Sequence, residues 1–170
     1  MKSINYIILV LAGALTFASC EKKDYPAGVP ELEHHYYAIY VPNNNTGVSV
    51  LRNQAALIKF PVQFYSTFTR SYDAVAKYAI VTTGITNPAV VGQDFNVVDK
   101  NGAVIQPGSD GTYSIVFPQA KQAMDTIYIK LLNNPATGIR KMEVNILENK
   151  TEEFYVDIFS TAFKRPVEIK

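Results

Sequence analysis

Thr126-Ile127-Tyr128-Ile129-Lys130-Leu131 alternates with a period of two: Ile127, Ile129 and Leu131 fall on one face, Tyr128 and Lys130 on the other. Successive side chains of an extended chain point to opposite sides, so this is the signature of a strand buried on one face. The same pattern continues outward in both directions. Upstream, 113–117 alternates and is closed by Pro118, and 119–124 reads as a short helix or a simple strand-to-strand connection. Downstream, 142–147 sets Met142, Val144 and Ile146 against Glu143 and Asn145, and 155–163 and 167–169 complete the chain. Further upstream lie 36–41, 57–65, 75–82, 84–88 and 95–98, with Asn101-Gly102 as a tight-turn signal because both residues tolerate positive φ. Pro61 interrupts 57–65 and points to an edge strand or a bulge there. No segment beyond residue 20 carries a convincing helical period. The expected fold is all-β: two packed antiparallel sheets of seven to nine strands over residues 35–170.

The first twenty residues follow a different logic. Lys2 precedes an apolar run over 7–15, then Phe17-Ala18-Ser19 and Cys20. A short positive start, an apolar core and small residues before the cut define an export signal. A cysteine in the next position changes the expectation from secretion to lipid attachment. The apolar run is too short for a spanning helix, which needs about 20 residues. Residues 1–19 thus read as a lipoprotein signal peptide, Cys20 as the acylated (palmitate-type) residue, and 20–34 as a tether with charges, two prolines and a glycine. The tether would reach roughly 50 Å at full stretch. Glu21 follows the cysteine, and Lys23-Asp24 resembles the short export tag of bacterial surface lipoproteins; both favour the outer membrane, facing the periplasm or the cell surface.

Cys20 is the single cysteine, so an acylated chain has no disulfide and no thiol nucleophile. Removing residues 1–19 takes away Lys2 and leaves fifteen basic against fifteen acidic residues. Such a balance argues against nucleic acid as a partner, which calls for a basic excess or stripe. Membrane attachment then rests on lipid, through the anchor at Cys20.

Gly92-Gln93-Asp94-Phe95 resembles the Gly-x-Asp-Tyr/Phe signature of Calx-β-type domains. Tyr113-Ser114-Ile115-Val116-Phe117-Pro118, Thr126 to Leu131 and Met142-Glu143-Val144-Asn145-Ile146-Leu147 resemble that family's later strands, and Phe60-Pro61-Val62-Gln63-Phe64 and Tyr78-Ala79-Ile80-Val81 its earlier ones. Residues 36–170 together are similar to Bacteroidota-type surface lipoproteins built on one immunoglobulin-like, Calx-β-like sandwich, many encoded beside glycan-uptake systems. The resemblance implies a non-enzymatic binding or accessory module in surface glycan handling. A structural or adhesive module that holds proteins of a surface complex by a sheet edge is the alternative, with the last strand, 167–169, as the edge in view. It also implies calcium for the animal members. Here the loop Asn133-Asn134-Pro135-Ala136-Thr137-Gly138 offers amides instead of carboxylates, and Asp73, Asp94, Asp99 and Asp110 are scattered. A calcium site uses about six to eight oxygens, usually with several carboxylates, so no metal and no cofactor is expected.

Catalytic templates find no parts. His34 and His35, next to Glu31 and Glu33, are the two histidines; neighbours on an extended chain diverge, so they read as a solvated strand entrance. No nucleophile elbow, zinc-protease helix motif or phosphate-cradling glycine loop is present, and Glu152-Glu153 do not face each other across a cleft. No catalytic residue is assigned, and the chain is read as no enzyme. The remaining lead is aromatic, with eleven Tyr, nine Phe and no Trp. Tyr65, Phe68, Arg70, Tyr72 and Asp73 form the candidate ligand site, because sugar faces pack on rings while amides and acids take the hydroxyls. Asp125-Thr126-Ile127 resembles an O-glycosylation acceptor.

Overall fold

The computed structural model describes residues 34–170; the expected signal peptide, Cys20 and residues 20–33 of the expected tether lie outside the described residues. Eleven strands run in chain order: β1 His35–Tyr40, β2 Val48–Val50, β3 Ile58–Tyr65, β4 Ala74–Val81, β5 Phe95–Val98, β6 Tyr113–Phe117, β7 Ala123–Leu131, β8 Arg140–Leu147, β9 Asn149–Lys150, β10 Tyr155–Ile158 and β11 Lys164–Ile169. A 3-10 turn at Pro118–Ala120 links β6 to β7. One sheet has the order β5-β7-β3-β1-β10-β9, the other β2-β11-β8-β4-β6. The two-sheet, all-β sandwich expected from the alternation is the fold observed.

Two features modify that expectation. Neighbouring strands are antiparallel except for two parallel pairs, β1 with β10 and β2 with β11. The strand count is higher because β2 and β9 are too short to leave a periodic trace. Residues 84–88 form no strand; Pro88 makes one isolated bridge to Lys141. The last strand is no edge either, since β11 lies between β2 and β8, and the edges are β5, β9, β2 and β6.

Pro61 stands inside β3, an interior strand paired with β7 and β1, and this corrects the edge-or-bulge reading. The reason is positional. Val41 donates to the Pro61 carbonyl at 2.9 Å, one residue beyond the end of β1. The donor that proline lacks therefore falls where the β1 ladder has already stopped, and no interior bond is lost.

Inward residues of both sheets form one core. Phe64 of β3 stacks on Phe117 of β6 across the sandwich, centroids 4.5 Å apart and planes 13° apart, and tilts against Tyr36 at 5.2 Å. The buried Tyr40 hydroxyl crosses from β1 to donate to the Val144 carbonyl at 2.9 Å. Burial lifts the Tyr40 phenol far above its ordinary pKa, with Arg165 opposing. Arg165 itself is 4% exposed. Its guanidinium lies over the Tyr40 ring, 4.6 Å from the centroid, and donates to the carbonyls of Pro42 and Asn44. The charge is thus desolvated but hydrogen-bonded to loop carbonyls, and the Pro42 carbonyl also accepts from Asn44 N–H at 2.8 Å.

Candidate functional site: an aromatic strip on the outer face of the six-stranded sheet

The two outer faces of the sandwich differ in chemistry. On the five-stranded sheet, outward side chains pair as charges: Lys141 with Glu168 at 2.9 Å and Lys164 with Glu143 at 3.8 Å, while Lys77 reaches Asp110 at 2.7 Å. This is an ordinary solvated surface. The six-stranded sheet instead turns aromatic rings outward along β10, β1 and β3.

The strip is built by register. His35 lies opposite Tyr155, and Tyr155 opposite Lys150; one step along, Tyr37 lies between Asp157 and Tyr65. The alternation of β1 buries Tyr36 and Ala38 and turns His35 and Tyr37 outward. His35 stacks on Tyr155 (4.4 Å, 25°) and on Tyr37 (5.2 Å, 23°). Phe159 meets the Tyr37 ring edge-on at 6.0 Å, and the Lys150 ammonium sits 5.8 Å from the centre of Tyr155. The Asp157 carboxylate accepts or shares a proton with His35 Nε2 at 3.0 Å, which fixes the imidazole plane. Burial, with Glu148 and Asp157 alongside, holds the Tyr155 phenol well above its ordinary pKa, so it stays a neutral hydrogen-bond group. At one end, Tyr37, Ile39, Tyr65, Phe159 and Asn43 line a cavity of about 250 Å³. Tyr65 and Phe159 remain 41% and 45% exposed.

Of the five candidate residues, Tyr65 belongs to this strip. The others occupy the loop 66–73 at one end of the sandwich. Arg70 lies over the Phe68 ring at 5.3 Å and donates through Nε to the Tyr36 hydroxyl at 3.3 Å. Tyr72 stacks on Phe154 and shares short hydrogen bonds of 2.6 Å with the Tyr36 hydroxyl and with His34 Nδ1. Burial and the bond to Tyr36 push the Tyr72 phenol up. Asp73 accepts from the Gln119 amide at 2.9 Å, while Gln119 carbonyl accepts from Arg70 N–H at 2.7 Å. These two bonds hold Gln119 in the left-handed region at φ 56°. Arg70, Tyr72 and Asp73 thus have partners inside the fold, and the five do not form one surface.

His34 and His35 are built into the fold and are no solvated entrance. The His34 carbonyl accepts from Tyr155 N–H at 2.9 Å, so the sandwich includes a residue the sequence placed in the tether. Asp94, 2% exposed, accepts from Val90 N–H at 2.8 Å and from the Asn134 side-chain amide at 3.0 Å. The signature aspartate therefore ties two loops together. The loop 133–138 already faces a cation, because Arg52 donates to the carbonyls of Asn134 and Gly138. Among the described residues, no three His, Cys, Asp or Glu side chains converge. Thr126 of the glycosylation-like tripeptide lies opposite Pro61 in β7, next to the exposed Asp125.

No family model and no curated protein sequence matches the chain. Among solved structures it is similar to the apo-form Calx CBD1 domain, at 12% identity over 79% of this chain and 97% of that one, TM-score 0.49. It is also similar to the Calx CBD2 domain, at 12% identity over 78% and 85%, TM-score 0.48. The human F-spondin reeler domain matches at 8% identity over 79% and 89%, TM-score 0.35. The class assigned here, an all-β sandwich with one charged and one aromatic outer face, rests on the chain's own strand pairing.

Proposed function

We propose that this chain is a lipid-anchored, non-enzymatic module of the bacterial outer membrane that binds glycan on the outer face of its six-stranded sheet. The observation that carries the reading is the strip formed by Tyr155, His35, Tyr37 and Tyr65 in adjacent strands. Strands lie about 4.8 Å apart, so rings on β10, β1 and β3 span roughly two such steps, enough for more than one sugar. Pyranose C–H faces pack on flat rings, while Asp157, Asn43 and Gln63 at the margins are of the kind that takes hydroxyls. Buried rings of this size dominate recognition energetics, and their phenols add a polar handle. Lipid at Cys20 and the tether that follows would display the surface away from the bilayer. Affinity electrophoresis of the purified full chain against a panel of polysaccharides tests the reading. Retardation by at least one, lost in Tyr155→Ala, is expected; absence of retardation throughout the panel would overturn it.

A specific feature favours the alternative, a protein-holding module. The edge strand β6, Tyr113–Phe117, pairs on one side only and contains neither proline nor charge, the usual protections of a free edge. Pull-down from native membranes distinguishes the two: a stoichiometric partner without sugar binding supports this second reading.

A further inference from the structure

We propose that the cavity beside the strip is a subsite for the acetamido group of N-acetylated amino sugars. The inference rests on the glycan reading above and adds the class of glycan.

The cavity shares Tyr37 and Tyr65 with the strip, so a chain lying on the rings passes directly over its mouth. Its floor is Ile39, which occupies an outward position of β1 yet is only 5% exposed. Ile39 lies outside the core cluster between the sheets and shares the cavity lining with Tyr37, Tyr65 and Phe159. At about 250 Å³, the space is smaller than the roughly 300–1,000 Å³ of drug-sized sites. It accepts a substituent of a sugar and excludes a chain.

The lining selects which substituent. Four of the five residues are apolar or aromatic, and the fifth, Asn43, is an exposed amide. None is basic, and Lys150 lies on β9, at the far side of the strip. A carboxylate or sulfate would lose water without meeting a cation. A bare hydroxyl would face mostly carbon. An acetamido group matches on both counts: its methyl fills the space above Ile39 between Phe159 and Tyr65, and its planar amide exchanges hydrogen bonds with Asn43, which can both donate and accept.

Isothermal titration of the purified full chain provides the test, with short β-1,4-linked oligomers of N-acetylglucosamine, their de-N-acetylated counterparts, unsubstituted β-1,4-glucan oligomers and a 6-deoxyhexose-bearing oligosaccharide as probes. The acetylated oligomer is expected to bind about tenfold more tightly than either of the first two controls, a difference of about 1.4 kcal/mol. Asn43→Ala and Phe159→Ala should each shrink that preference to about twofold, the affinity for the acetylated oligomer falling more than that for the unsubstituted glucan. Equal binding of acetylated and unsubstituted oligomers, with binding still abolished by Tyr155→Ala, would overturn the subsite and leave the strip intact. Tighter binding of the 6-deoxy probe would overturn it in favour of a methyl pocket. No binding of any probe, with no retardation in the wider panel, would remove the glycan reading and this inference together.

Discussion

The imidazole of His35 lies flat against the phenol of Tyr155, centroids 4.4 Å apart, although one residue opens the first strand and the other opens the tenth. The contact exists because β1 and β10 pair in parallel with His35 opposite Tyr155. Asp157, two residues further along β10, holds the imidazole Nε2 at 3.0 Å. Three rings from two distant parts of the chain thereby become one continuous surface, held by side chains that also satisfy one another.

The lipid reading of Cys20 makes a direct prediction. Cells expressing the chain should incorporate labelled palmitate into it, and the protein should fractionate with membranes. Cys20→Ala should lose both label and membrane association. A Cys20→Ala protein that stays in the membrane fraction would contradict the lipid anchor.

The inter-sheet stack predicts where stability resides. Phe64→Ala removes a fully buried ring from contact with both Phe117 and Tyr36, and should cost about 3–5 kcal/mol by urea unfolding. Lys141→Ala, which breaks an exposed ion pair with Glu168, should change stability by less than about 1 kcal/mol.

Asp94 predicts a loop-specific loss. Asp94→Ala leaves Val90 N–H and the Asn134 amide without their buried acceptor, a cost of about 1–3 kcal/mol. Hydrogen exchange should quicken at Val90 and around Asn134, with little change in β8 and β11. Uniform quickening across all strands would contradict the local role.

Alkali should unfold the protein in step with its buried phenols. Burial raises the pKa of Tyr40, Tyr78 and Tyr113 above the ordinary value, which lies near 10 in an unfolded chain. The folded state keeps these protons longer, so the stability they contribute is complete below about pH 10 and is lost as pH rises towards the folded values. Tyrosinate absorbance is clean because the chain has no Trp. It should rise in two phases, exposed phenols first, and the second phase should coincide with loss of the β-sheet circular dichroism signal. One phase at the ordinary pKa with the fold intact would contradict the burial described.

Single-strand alternation made most of the sandwich legible: Thr126 to Leu131 and Met142 to Leu147 each showed which residues face the core before any pairing was known. Proline at 61 misled because its tolerance depends on where the neighbouring strand stops, which is a tertiary fact. β2 and β9 were invisible because three or two residues cannot show a period. The candidate site was half legible for a related reason. Tyr65, Phe68, Arg70, Tyr72 and Asp73 were grouped by nearness along the chain, yet alternation and loop hydrogen bonds send them to different places. His35, Tyr37 and Tyr155 share a face only through the parallel pairing of β1 with β10, and nothing in a sequence of short strands encodes that register. The signal available was the outward parity of His35 and Tyr37 in a strand whose Tyr36, Ala38 and Tyr40 are core.

The central claim, that the outer aromatic strip is the ligand surface, is tested most directly by following ring resonances in an NMR titration of the full chain with a glycan that it retains. The account predicts that the signals of His35, Tyr37, Tyr65 and Tyr155 shift together and saturate with one dissociation constant, while Lys141 and Glu168 on the opposite face stay unmoved. Saturable shifts confined to the five-stranded sheet or to the loop 66–73, with the strip silent, would contradict it.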